Sequence, residues 1–343
     1  MKQKAEKIIN IEHADNVSID MSGLFESAEK LNKAIDRIPG LIEATIAMLA
    51  SDRQMTPGSL KSKYENTCNV GDIVMSHWQI DKCIGKGSLS TVFEAHHTGS
   101  LYKSAIKVIH SSLNFFDIEP SDITHRVFDA DAMIRMELNN MVELRGTGYI
   151  VEYEDHEAVE NSDGSQDIII RMELLKPLSA KTMARKEVVR LGIDICKALD
   201  FCHKSNIIHC DVKPSNIYTT KWGGYKLGDF SASIKSGDHP GKNQIGTLKY
   251  MAPEVYQGKL LSPSIDFYSL GLVMYEMLGG NRTKSIRDRE EALSKRLSGE
   301  PLPPIPGMGR RLQSIIQKAC AFNPEERFSS AAEMLEELSK VTR

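Results

Sequence analysis

Asp211, Lys213, Asn216 and Asp229 stand within a stretch of about twenty residues. The stretch begins as His209-Cys210-Asp211-Val212-Lys213-Pro214-Ser215-Asn216 and ends in Gly228-Asp229-Phe230. Moving a phosphoryl group asks for such a set: one group to take a hydroxyl proton, oxygens to hold a metal, and a cation near the moving phosphate. Asp211 suits the base. Lys213 can neutralise charge on the transferring group. Asn216 offers an amide oxygen and Asp229 a carboxylate, hard ligands of the kind magnesium takes while phosphates and water complete its shell. Singly, Asp211 reads equally well as a turn former and Asn216 as a cap. Jointly, the order H-x-D-x-K-x-x-N followed by D-F argues against coincidence.

A second group lies upstream. Gly85-Lys86-Gly87-Ser88-Leu89-Ser90-Thr91-Val92 is a glycine-rich turn between two strand-like runs. Glycines let backbone N–H groups approach phosphates with no Cβ in the way; an ordinary hairpin turn would carry the same residues. Lys107 sits in Ala105-Ile106-Lys107 on an otherwise apolar strand. A lysine there must find an anion or reach for water.

These groups need elements to hold them. Trp78–Ile80, Cys83–Gly87, Thr91–Ala95 and Ser104–Ile109 read as short strands with turn punctuation, an antiparallel meander. A loop around Asn114–Asp122 follows, then a helix from about Phe128 to Leu144. Two strands are expected near Ile150–Tyr153 and Ile168–Met172, with Asn161–Gly164 as their hairpin loop. After Met172 the chain turns helical, with helices over Val188–Lys204, Asp266–Leu278, Arg311–Ala321 and Ser330–Val341.

The motifs and their order resemble the eukaryotic-type (Hanks-type) serine/threonine protein kinases over about Ser76–Val341. The resemblance implies an α+β, two-lobed fold. The small lobe, about 75–173, is an antiparallel sheet plus one helix; the large lobe, about 174–343, is mainly helical. It implies ATP and magnesium as cofactors and a protein with a Ser/Thr acceptor as substrate. Ile84, Gly85, Lys86, Gly87, Val92, Ala105, Lys107, Met172, Glu173 and Leu175 are then the nucleotide contacts, with Met172 at the back of the pocket and Glu173–Leu175 as the hinge. Lys107 pairs with a helix glutamate, Glu137 by spacing or else Glu143. Asp211 is the base, Lys213 its companion, and Asn216 and Asp229 the magnesium ligands. Ala252-Pro253-Glu254 ends an activation segment, and Glu254 is expected to pair with Arg327. Asp266 is expected to accept backbone N–H groups of the catalytic loop, and Thr247 to bond Asp211 and Lys213. Met141, Tyr153, His209 and Phe230 would form a column joining the lobes. Gly246–Met251 would dock a peptide substrate.

Three departures stand out. Ser90 occupies the third glycine position of the phosphate loop. Cys210 replaces the arginine beside the catalytic aspartate, so an arginine–phosphate clamp is not expected there. Ser231 follows Asp229-Phe230 where the family has glycine, which restricts the backbone. Ser231, Ser233 and Ser236 are available phosphosites. Ser215, four residues after Asp211, disfavours a basic peptide consensus.

The rest of the chain sets bounds. At 343 residues, with 41% apolar and 26% charged content, it has the make-up of a globular protein. A net charge of −3 gives no reason to expect nucleic acid. The six scattered cysteines fit a reducing compartment. The longest apolar run, near Leu41–Ala50, is too short to span a membrane. A cytoplasmic location is expected. Residues 1–74 carry none of the chemistry. Leu24, Ala28, Leu31, Ile35 and Ile38 make one helical stripe, and Leu41, Ile42, Thr45, Ile46 and Leu49 a second. Two helices broken at Pro39-Gly40 are expected there, as a regulatory or docking extension with its own partner or as a cover for an apolar patch. Two other readings compete for the whole. A pseudokinase scaffold needs none of Lys107, Asp211, Asn216 and Asp229. A small-molecule phosphotransferase generally lacks the Gly246–Glu254 segment.

Overall fold

The computed structural model describes residues 68–87, 90–111, 130–161, 166–179, 181–237, 246–259, 261–279 and 293–341. The expected N-terminal helices lie outside these residues, as do the Asn114–Asp122 loop and positions 162–164 of the hairpin tip.

Six strands form one antiparallel sheet in the order β1-β2-β3-β4-β6-β5. They are β1 (Ile73–Val74), β2 (Trp78–Lys86), β3 (Ser90–His97), β4 (Lys103–Ser111), β5 (Tyr153–Glu160) and β6 (Gln166–Met172). Side chains alternate across a strand. On β4, Ile106 and Val108 join Trp78, Ile80, Phe93 and Ile169 in one apolar layer. Ile109 joins the other layer, with Ile134 and Leu138 of helix α1 (Ala130–Glu143). Lys107 therefore shares the face of Ile109 and points toward α1. The register sets Lys107 opposite Val92 on β3 and Ile170 on β6.

One expected strand is displaced. The run Ile150–Tyr153 is not a strand: β5 starts at Tyr153. Ile150 makes only an isolated parallel bridge to Leu227, and the Val151 N–H donates to the Leu227 carbonyl at 2.8 Å. The backbones of Tyr149 and Val151 are both bonded to Leu227 of the second lobe, so this part of the run does not extend the sheet.

That second lobe is built on helices α2 (Arg185–Lys204), α3 (Pro253–Tyr256), α4 (Ser264–Met277), α5 (Arg310–Ala319) and α6 (Ala331–Ser339). Every residue of α4 except Glu276 is buried. A helix apolar all round belongs inside a core, and α2, α5 and the short 248–250 turn pack on it. Two small ladders sit on this body. β8 (Ile207–Ile208) pairs with β11 (Ile234–Lys235). β9 (Ile217–Thr219) lies between β7 (Lys176–Pro177) and β10 (Tyr225–Leu227). Their role is positional: β8 and β9 bracket the loop 209–216, and β10 and β11 bracket 228–233. No described helix is long and apolar enough to cross a membrane.

Candidate active site

The loop after β8 is pinned from beneath by Asp266, fully buried in the first turn of α4. One carboxylate oxygen accepts the His209 N–H and the other the Cys210 N–H, both at 2.9 Å. His203 Nε2 lies 2.8 Å from the same carboxylate. This grip coincides with strained backbone. Cys210 has φ +65°, a left-handed conformation whose cost for a residue with a Cβ is of order 1–3 kcal/mol. The tertiary bonds to Asp266 hold it there and aim the next residue, Asp211.

Asp211 is buried and fully engaged. Lys213 Nζ lies 2.6 Å from Oδ2, and Asn216 Nδ2 donates to the same oxygen at 3.1 Å. The Thr247 N–H donates to Oδ1 at 2.8 Å. Lys213 Nζ also donates to Thr247 Oγ1 at 2.8 Å. Thr247 thus bonds both residues, as the sequence suggested. Asn216 spends its amide nitrogen on Asp211, which sets the orientation of its Oδ1.

Across the cleft, Lys107 is bonded to Glu137 and lies 3.2 Å from Asp229 Oδ1. The open choice between two glutamates is resolved: Glu143 pairs instead with Lys235 at the surface, at 3.2 Å. Burial pushes Lys107 down, but Glu137 and Asp229 outweigh it and its pKa rises. Burial raises Glu137 against the pull of Lys107. For Asp229, burial is overcome by Lys107 and by a hydrogen bond from Ser231, and the pKa falls to about 2. Asp229 too has positive φ, +65°.

The cleft between these groups has a volume of about 310 Å³. Ile84, Gly85, Lys86, Gly87, Val92, Ala105, Met172, Glu173 and Leu175 line it, together with Lys107, Glu137, Lys213, Asn216 and Asp229. Asp211 is outside the lining but bonded to two residues within it. Val151 and Tyr218 also line the cleft and were not singled out from the sequence. Tyr218 had a signal, since it lies two residues after Asn216 at the start of a strand. Val151 had none: it sits in the irregular stretch before β5.

The metal-holding capacity is partial. Among the described residues no group of three or more His, Cys, Asp and Glu could hold an ion alone. Asn216 and Asp229 offer oxygens for part of a shell, which fits magnesium, an ion that retains phosphate and water ligands.

The flanking anchors are also in place. Arg327 donates to both oxygens of Glu254, at 2.6 and 2.7 Å, with both side chains buried. His209 meets Phe230 edge to face at 5.0 Å between ring centres. Met141 and Tyr153 lie in the same apolar cluster as Phe230. One expectation fails. Ser233 is not an available phosphosite: it is 1% exposed, donates to the Phe230 carbonyl and accepts from Asn140 Nδ2 at 2.9 Å.

Comparison with known proteins bears on this arrangement. The family model for the protein kinase domain matches residues 78–338. Serine/threonine-protein kinase PknB of Mycobacterium leprae is 30% identical over 301 residues, covering 83% of this chain and 44% of that protein. PknB of Mycobacterium tuberculosis is 29% identical over the same shares. A probable serine/threonine-protein kinase of Clostridium perfringens is 27% identical, covering 80% of this chain and 39% of that protein. The chain thus spans less than half the length of these relatives. With most of its length matched by the family model, it belongs to the protein kinase domain family.

Proposed function

We propose that this chain is a serine/threonine protein kinase that transfers the γ-phosphoryl group of ATP to a protein hydroxyl. One observation carries the reading. Asp211, Lys213 and Asn216 form a bonded unit on one side of a cleft whose other side holds Lys107, Glu137 and Asp229. A protein needing only to bind nucleotide has no use for the first unit.

In this reading Asp211 orients the acceptor hydroxyl and takes its proton late, when the transition state is already loose. Lys213, bonded to Asp211, neutralises charge on the transferring group. Lys107, fixed by Glu137, positions the α- and β-phosphates. The backbone of Glu173–Leu175 meets adenine, and Gly85–Gly87 covers the phosphates. Asn216 and Asp229 hold magnesium, which when bound supplies charge neutralisation on the phosphate oxygens. The Lys107 ammonium beside Asp229 outweighs its burial and favours the anionic form of that ligand. Lys213 at this position and the Gly246–Glu254 segment favour Ser/Thr acceptors on a protein.

The test is a radiolabelled ATP–magnesium assay on the full chain with a generic protein substrate, beside Asp211→Asn. Label on serine or threonine with the wild type alone is expected. Nucleotide-dependent thermal stabilisation with no label on any protein would sink the reading in favour of a scaffold.

A further inference from the structure

Behind the hinge lies a second hollow, larger than the cleft, with a volume of about 740 Å³. Its walls come from the turn before β4, the Gly148-Tyr149 corner, the hinge, the exposed side of α2 and the β9–β10 hairpin. Glu173 and Leu175 line both hollows. None of the catalytic groups described above takes part in it.

Its charge is one-sided. Lys103, Lys176, Arg190, Lys221 and Lys226 line it, against only Glu173 and Asp194. Both carboxylates are engaged. Glu173 accepts Lys226 Nζ at 2.5 Å, and Asp194 accepts the Tyr225 N–H at 3.1 Å. Lys103 turns to Glu94 at 2.6 Å. Lys176, Arg190 and Lys221 are exposed; Arg190 lies close enough to Asp194 to act on its carboxylate, and no ion pair is seen for Lys176 or Lys221 among the described residues. This excess occurs in a chain of net charge −3.

The same hollow exposes aromatic surface. Trp222 is 81% exposed and Tyr102 57%. The Lys221 ammonium lies 5.1 Å from the Trp222 ring centre. A tryptophan left in water forgoes the burial that makes such side chains interface anchors. Cations flanking aromatics on an open groove match a peptide that carries carboxylates and apolar side chains.

We propose that this groove docks an acidic segment of the protein substrate, remote from the residue that is phosphorylated. The identity of the occupant rests on the kinase reading; the groove's preference for an acidic peptide does not.

The chain contains two tryptophans. Trp78 is buried beneath the Arg171 guanidinium, at 4.6 Å from its ring centre, and forms a constant background. Trp222 is therefore a built-in reporter. The experiment titrates the full chain with a glutamate–alanine copolymer while following tryptophan emission. A saturable change is expected that weakens as salt is added. It should vanish in Trp222→Phe. The double variant Lys176→Glu, Lys221→Glu should keep its thermal unfolding midpoint yet bind at least about tenfold more weakly. No change in emission, equal binding by the double variant, or tighter binding of a lysine–alanine copolymer or a single-stranded oligonucleotide would overturn the proposal. In parallel, a short serine peptide is assayed with and without an appended glutamate–alanine tail. The tail should lower KM in the wild type and not in the double variant; equal KM values in the wild type would overturn the substrate assignment. Absence of transfer to either peptide would count against the kinase reading, while the titration still decides the groove.

Discussion

Lys107 and Asp229 are separated by 122 positions in the chain and by 3.2 Å in space. The contact joins a sheet strand to a loop of the helical lobe, and it has a measurable acid signature. Asp229 is depressed to about 2 in the folded protein, against about 3.9 for a free aspartate. A depressed carboxylate contributes stability that is present above the unfolded value and lost as pH falls through the folded one. The stability of the wild type should therefore gain on that of Asp229→Asn as pH rises from about 2 to about 4, and stay level above that. Denaturant unfolding of both proteins across that range checks it. A gap that keeps changing near neutral pH would mean that another group dominates.

Asp211→Asn should abolish phosphoryl transfer and leave nucleotide binding within about twofold, because Asp211 lies outside the cleft lining. Rate and nucleotide affinity measured on the same preparation separate chemistry from folding. Simultaneous loss of both would mark a structural role.

Gly246 carries a steric prediction. A Cβ there would stand 2.3 Å from the Cys210 carbonyl oxygen and 3.2 Å from Asp211 Oδ1. Gly246→Ala must therefore push the 246–247 segment away and pull the Thr247 N–H off Asp211. Misplacement by about 1 Å at a reacting centre can lower the rate on the order of a hundredfold. Steady-state kinetics should find the loss in kcat with the KM for ATP nearly unchanged.

Arg327 and Glu254 form a buried pair with two short hydrogen bonds. Removing one partner leaves the other charge uncompensated. Arg327→Met should lose about 3–5 kcal/mol of stability, read as a lower unfolding midpoint in urea. An unchanged midpoint would mean that water reaches the freed carboxylate.

The thiols should separate by burial. Burial pushes Cys320 up to about 12 and, with Asp266 and Asp211 beside it, raises Cys210 as well. Cys83 is exposed. The thiolate is the reactive form. Maleimide at neutral pH should modify Cys83 well before Cys210 or Cys320, as followed by peptide mass spectrometry.

Much of the site was legible because its parts are local. The 209–216 loop carries a carboxylate, a cation and an amide within eight residues, and the residue types alone suggest the chemistry. Lys107 was legible as a lysine on an otherwise apolar strand, which must find an anion. The failures have a common cause. Ile150 and Val151 look like strand residues, but their backbone partners lie at Leu227, beyond any local pattern. Ser233 looks like any loop serine until Asn140 and the Phe230 carbonyl enclose it.

By itself, the sequence determined the order of the motifs, the run of strands followed by helices and the residue types in the 209–216 loop, since these follow from spacing and side-chain chemistry. The tertiary structure alone decided which glutamate meets Lys107, how Asp266 holds Cys210 in a left-handed conformation, and that Trp222, Lys176 and Arg190 share one groove. Each of those depends on segments that touch only after the chain has packed, where burial and neighbouring charge, rather than position in the sequence, set what a side chain does.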